Sequence, residues 1–508
     1  MSSGTGERGG VAGTAAAAVA VPHAARRHGL ALFLVSTAQF VLQLDFSIVN
    51  VALATIQREF DVSAADLQWL VTGYALPFGA LLLLGGRVGD LTGHRRLLIT
   101  GLVLFGVTSL AAGLAPGDGL LIGARFAQGA SAALVAPMTL AAVTDLYADG
   151  PGRARALGIY QGATAAGATT GIVLGGILTS FVGWRAIFLV NPPVIIVLVL
   201  AMIRLLPKDS RHVESSGSGA GRARVRLDVA GAVLVTSSVA ALIFGLSQGQ
   251  QRGFASPLAL VPLAAAVAGG IAFAAVERRV AAPMVPLAVL ADRHRRVALA
   301  VTFIVGAVIV GYVYFVTLYM QKVLGFSPLR AGLALLPATL TVMITSMLLT
   351  RRFAARFGTP AVLTAGLVLI GLGQAWLTQL SVSGSYLVDV LPGVWLSAFG
   401  MGLFFPSASL LATARVAPGD RGLAGGLYAA AQQVGMAVGL AVLATIAAAR
   451  TRAATVAHAP AVAHGPAVAN AASTALVSGY RLSYLVSTGI IAAALAATLL
   501  FLRTTRDV

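Results

Sequence analysis

One acidic residue stands deep inside a long apolar run of this sequence. It is Asp45, in QLDFSIVNVALATI, and its neighbours at one and two helical turns are Ala38, Val41, Leu42, Ile48, Val49 and Ala52. A carboxylate among such neighbours is taken out of water, which favours its proton-bound form, so Asp45 can serve as a site that takes up and releases a proton. A single basic residue has a comparable setting: Arg125, in LLIGARFAQGASAALVAP, with Gln128 one turn further on nearly the same face. Two readings are open. Either Asp45 and Arg125 neutralise one another as a buried pair, or Asp45 is a proton-coupling site that Arg125 tunes, with Gln128 lining a cavity beside them.

Two other patterns carry spacing that matters. In LLLLGGRVGDLTGHRRLLITG (81–101), Gly86, Asp90, Gly93, Arg95 and Arg96 interrupt two apolar runs with the order G-x-x-x-D-x-x-G-x-R-R, which reads as two helices joined by a tight basic turn. Taken alone, such a turn can be a solvated loop that only sets orientation. Further on, Gly167, Gly171 and Gly175 recur every four residues with Gly176 beside the last, a small-residue stripe that lets helix backbones approach closely.

These residues need elements to position them, and composition says which. Of 508 residues 58% are hydrophobic and only 10% charged, which places the chain among polytopic membrane proteins. A charge at mid-bilayer costs roughly 2.5–3.5 kcal/mol, so the intramembrane charges require a partner or a function. The formal net charge of +18 comes from arginines scattered in twos and threes between apolar runs, a topology signal rather than a nucleic-acid surface. Cysteine is absent, and neither Lys208 nor Lys322 belongs to a GxxxxGK[ST] loop, so thiolate metal sites and phosphate-loop ATP binding are excluded.

The apolar runs predict fourteen transmembrane helices near 30–56, 68–89, 97–115, 119–143, 155–180, 186–206, 229–247, 257–276, 297–321, 331–351, 361–379, 387–412, 421–448 and 478–503. They divide into a six-helix half (30–206), two inserted helices (229–276) and a second six-helix half (297–503). A disordered tail (1–29), linkers at 207–228 and 277–296, a long disordered external loop (450–481) and a short tail (504–508) complete the organisation. With both termini cytoplasmic, 26 basic residues fall in inside segments and eight in outside ones. LLTRRFAARFG (348–358) echoes LLGGRVGDLTG (83–93) at an offset of 265, as duplicated halves would, although Ala355 then stands where Asp90 does.

The basic turn resembles the loop between helices two and three that marks the major facilitator superfamily. GATTGIVLGGILTSFVGWRAIFLVNPP is similar to the helix-five signature of its drug antiporters, and LDFSIVNVALATI, LYMQKVLGFSPLRAGLALLP and AGGLYAAAQQVGMAVGLAVL resemble the fourteen-span drug:proton antiporter branch. The resemblance runs from about Leu30 to Arg503. It implies the all-α major facilitator fold in the cytoplasmic membrane, with Asp90 and the arginines as a latch between halves and the glycine stripe on a helix that seals the cavity. It further implies export of hydrophobic, cationic or neutral antibiotics and drugs driven by inward proton flow. The partners so implied are a small hydrophobic substrate, protons and lipid, acting on a functional monomer. No cofactor, metal, enzymatic activity or nucleic acid is expected. One departure stands out: the family pattern has Pro after the second glycine, and this chain has Ile172. On the same scaffold, an organic-anion or small-solute symporter with Arg125 on a substrate carboxylate, and a translocator of lipid-like metabolites, are the alternatives.

Overall fold

Inside a bilayer every backbone N–H and C=O must be satisfied within its own segment, so apolar runs of some twenty residues can only be helical. The computed structural model describes residues 11–61, 64–147, 150–206, 228–280, 283–458 and 466–502, and among them fourteen helices are long and apolar enough to cross a membrane.

In the first half α1 (Val11–Phe60), α2 (Ala64–Thr92), α3 (His94–Gly113), α4 (Asp118–Leu146) and α5 (Pro151–Phe181) each cross once. The sixth crossing joins the short α6 (Ala186–Leu189) to α7 (Asn191–Leu205). The inserted pair is α8 (Val229–Arg252) and α9 (Pro257–Glu277), followed by the short α10 (Leu287–Ala291). The second half begins with α11 (Arg293–Lys322). Its next crossing is assembled from α12 (Pro328–Ala334), α13 (Leu336–Ile344), a π turn (Thr345–Leu349) and α14 (Thr350–Phe357). Then come α15 (Thr359–Leu377), α16 (Leu391–Thr413) entered through a second π turn (Tyr386–Val390), α17 (Arg421–His458) and α18 (Pro466–Leu502).

The duplicated turn is visible in the backbone. Gly93 (φ 103°) separates α2 from α3, and Gly358 (φ 83°) separates α14 from α15, both in the left-handed region that a side chain disfavours. The two halves meet along two seams, α2 against α17 and α5 against α13 and its π turn. At the end that carries Gly93, Arg95 and Arg96, here the basic end, both seams are closed: a side chain on Gly86 would start 2.5 Å from the carbonyl oxygen of Gly422, and one on Gly158 would strike that of Ser346.

Three expectations are corrected. From Val11 the expected tail is helix continuous with α1, and the expected loop at 450–481 is mostly helix, since α17 runs to His458 and α18 starts at Pro466. Both stretches are alanine-rich. Alanine has weak hydropathy but the highest helix propensity, so composition that reads as loop extends helices instead. The segment 277–296 is not a free linker either, because the Glu277 carboxylate accepts from the amides of Met284 (2.9 Å) and Val285 (3.2 Å), and Val285 and Val289 pack on Leu423. The linker at 207–227 and the ends at 1–10 and 503–508 lie outside the described residues.

Candidate functional site

Asp45 and Arg125 meet within the first half. Arg125 Nη1 donates to Asp45 Oδ2 at 2.8 Å, with the two side chains 1% and 0% exposed. Gln128 Nε2 donates to Asp45 Oδ1 (2.9 Å), and so does Asn191 Nδ2 from the start of α7 (2.7 Å). Arg125 is itself held by the Leu70 carbonyl of α2 (2.9 Å to Nε) and by Gln128 Oε1 (2.7 Å), and its guanidinium lies 4.4 Å from the centre of the Tyr74 ring. Ser109 of α3 accepts from Gln128 at 2.7 Å. A buried ion pair repays its desolvation only when its remaining lone pairs and protons are also satisfied, and here five helices contribute to satisfying them.

Gln128 is therefore not a cavity residue. It is fully buried and spends its amide on the pair, contrary to the expectation from its position one turn beyond Arg125. Asn191, Ser109 and Tyr74 carried no comparable warning in sequence, because a lone neutral polar residue in an apolar run is common. The proline pair that follows Asn191 was the available signal, since Pro at the first helical turn leaves Asn191 at a helix start.

The glycine stripe sets where Asp45 sits. A side chain at Gly167 would strike the carbonyl of Phe40, one at Gly171 would lie 2.5 Å from that of Leu44 and collide with Ser47 Oγ, and one at Gly175 would lie 2.9 Å from Ile48. All three contacts are on α1, flanking Asp45. The stripe packs within the first half, and a different face of α5 closes on the second half, through Gly158, Gly162 and the Thr169–Thr339 hydroxyl contact. Gly176 is outside the seam, with no neighbouring atom within 4 Å of its side-chain position. Ile172, at the position where Pro is expected, packs on Gly332, and α5 continues unbroken through it.

At the basic end Asp90 reaches across the halves to the start of α17. It accepts from the amides of Gly422 (2.7 Å) and Leu423 (2.8 Å), so its partner is a helix N-terminus rather than the arginines. Arg95 turns back within the first half to the Ile203 carbonyl at 2.7 Å. Ion pairs that sequence did not single out cross beside Asp90: Arg87–Asp420 (3.1 Å) and Arg421–Asp145 (2.6 Å). His94 bridges Asp90 (2.8 Å) and Asp145 (2.6 Å) with its two ring nitrogens, and only the doubly protonated ring can donate to both. The second half has Ala355 in place of Asp90, and at the matching seam glycine packing and the Thr169–Thr339 hydroxyl contact join the halves.

Asp90→Asn keeps the shape of this contact but replaces one acceptor oxygen by a donor facing an amide. Charge-assisted bonds of this kind contribute about 1.5–3 kcal/mol each, so the closed basic end should lose roughly 10- to 150-fold in population relative to the open one. Transport measured in proteoliposomes should slow while expression and substrate binding persist. A wild-type rate in Asp90→Asn would remove Asp90 from the switch.

Toward the opposite end the halves part around a cavity of about 460 Å³, lined by Phe46 and Leu53 of α1, Thr72 and Ala75 of α2, the inserted α8, Val310 of α11, and Gln433, Met436 and Leu440 of α17. Its described lining has hydroxyl and amide groups but no charge. Asp45 points away from it into the first half. Beyond it, Glu59 ties the end of α1 to Arg185 (2.5 Å) and Trp184 (2.6 Å), and the bond from Arg185 leads in holding that carboxyl below its usual range.

Two six-helix halves with a cavity between them, and a cross-half contact at the turn between the second and third helices, define a polytopic solute transporter. Residues 35–440 match the model of the Major Facilitator Superfamily, and the chain belongs to that family. It is 37% identical over 417 residues to a puromycin resistance protein of Streptomyces alboniger, covering 82% of this chain and 81% of that one. It is 36% identical over 417 residues to a cephamycin export protein of Amycolatopsis lactamdurans, covering 82% and 84%. The fold matches the solved proton:xylose symporter XylE with a TM-score of 0.60 at 14% identity, covering 92% of this chain and 96% of that one.

Proposed function

We propose that the protein exports hydrophobic, cationic or neutral antibiotics and related drugs across the cytoplasmic membrane by alternating access, with the basic end in the cytoplasm and protons entering through Asp45. The observation that carries this reading is the enclosure of Asp45. A carboxylate with three side-chain donors and no exposure can change its protonation only when α1, α4 or α7 moves, so proton binding and helix position are linked. The direction of transport is supported by the relatives, which are named for antibiotic resistance and export. In this orientation the closed end is cytoplasmic and the uncharged cavity faces outward, ready to release a substrate. A carrier that holds an organic anion on Arg125 finds no support, since that guanidinium is enclosed and engaged by Asp45, Gln128 and Leu70.

The test is flux in proteoliposomes with the basic end facing the bath. An acid interior should drive ethidium or puromycin inward against its gradient, with protons leaving. Flux that stays downhill whatever the proton gradient, or uphill flux in the opposite direction, would refute the reading.

A further inference from the structure

The inserted pair has so far served only to lengthen the chain, yet one of its helices reaches the cavity. Ile243, Leu246, Ser247 and Gln250 of α8 stand at spacings of three, four and seven residues, which is one helical stripe, and all four line the cavity between α2 and α17. We propose that α8 forms a wall of the substrate site and that Ser247 and Gln250 hydrogen-bond uncharged amphiphiles bearing amide or hydroxyl groups. The proposal rests on the export reading above and adds to it the class of compound selected.

Three observations support it. First, α8 is held in place against the first half. Phe244 stacks on Trp69 (centroids 5.9 Å apart), Trp69 stacks on Phe126 (6.0 Å), and Ile243 lies on the bare backbone of Gly79, where a side chain would begin 2.6 Å away. A wall so anchored keeps its position while the second half moves, so its polar groups are preorganised for binding. Second, the outer partner α9 turns Val261, Val267 and Ile271 away, each more than 60% exposed on an apolar face suited to lipid. The pair is thus amphipathic as a unit, with lipid on α9 and the cavity on α8. Third, the polar groups are available. Among the described residues Ser247 Oγ accepts a long bond from Gln251 (3.3 Å) and donates none, which leaves its proton for a ligand, and Gln250 is exposed to the cavity. In a site otherwise bounded by apolar side chains, such groups decide orientation and selectivity. With no charge on the described lining, a neutral ligand meets no unpaired ion, whereas an anion or dication would lose its hydration for nothing.

The chain has no cysteine, so single thiols report without background. Ser247→Cys, Gln250→Cys and the opposite-wall Gln433→Cys should each react with a membrane-impermeant maleimide added outside intact cells, and Val267→Cys on α9 should not. Labelling confined to Gln433→Cys, or absent from all three cavity positions, overturns the proposal. A second measurement reads selectivity. Against the compounds exported by the wild type, Ser247→Ala with Gln250→Leu should cut resistance about 2- to 10-fold for those with amide or hydroxyl groups and leave the others unchanged. An equal drop across the panel, or no change at all, also overturns it. If the wild type exports nothing, the export reading fails separately, and the labelling still decides whether α8 lines the cavity.

Discussion

Asp45→Asn is expected to abolish uphill export on a proton gradient while downhill exchange and drug binding persist. The substitution keeps the size of the side chain and removes the carboxyl that would carry the proton. A proton entering gains about 2.3 kcal/mol per 100 mV, enough to sustain roughly a fiftyfold gradient of a neutral substrate in one-to-one exchange. None of that is available once the carrier is gone. The geometry adds a stability term. Arg125 would be left enclosed without its counter-ion, and breaking a buried pair from one side costs about 3–5 kcal/mol. Loss of protein alone would mimic loss of coupling, so the companion variant is Asp45→Asn with Arg125→Met, which removes both charges. That double variant should recover folded protein in the membrane without recovering uphill transport. Asp45→Glu, which retains a titrating carboxyl one methylene further out, should keep partial activity. The decisive readings are substrate-induced proton release and uphill flux in proteoliposomes. If Asp45→Asn still pumps uphill, coupling lies elsewhere and the pair with Arg125 is structural.

Gly171→Leu is expected to eliminate transport, and even Gly171→Ala should impair it severely. A first carbon at this position lies 2.5 Å from the Leu44 carbonyl and collides with Ser47 Oγ, so α1 must move away from α5 by something of the order of an ångström. Overpacking of this kind costs about 1–3 kcal/mol for a small addition and more for a leucine. The displaced residues flank Asp45, so the strain reaches the bonds from Arg125, Gln128 and Asn191 directly. Gly175→Leu should act in the same direction through Ile48. Gly176→Ala is the internal control, since nothing stands within 4 Å of its side-chain position, and it should transport normally. Normal efflux from Gly171→Leu, with the protein present in the membrane, would mean that the α1–α5 seam has no role in transport.

On the export reading, one carboxylate links proton binding to the movement of α1 and α4. Protonation cancels the attraction between Asp45 and Arg125, and the guanidinium then keeps the Leu70 carbonyl, Gln128 and the Tyr74 and Phe188 rings. The balance between α1 and α4 shifts, and at the far end of the same bundle Asp90 and its neighbours set how readily the halves part. The two sites lie at different levels of the same six-helix half, so Asp45→Asn should remove the coupling to protons and Asp90→Asn should slow the switch.

Fourteen crossings, the division into halves, Asp45 and Arg125 as charges deep inside spans, and the duplicated turn were all legible in sequence. The reason is energetic: removing a charge from water is costly enough that one inside an apolar run cannot pass unnoticed, and left-handed backbone is costly enough that glycine marks it at Gly93 and again at Gly358. Helix ends at Val11 and around 450–481 were not legible, because alanine satisfies a helix without looking like a membrane span. Only the tertiary structure decided who completes the site. Asn191, Ser109 and Gln128 are neutral, cost little alone, and acquire meaning only when α3, α4 and α7 bring them to one carboxylate. The partners of Asp90 across the halves are backbone amides, which every residue possesses and no letter of a sequence distinguishes. Whether a glycine stripe faces a neighbouring helix, or an inserted helix faces a cavity, depends on rotations about helix axes that packing alone selects, as Gly176 and the stripe on α8 show.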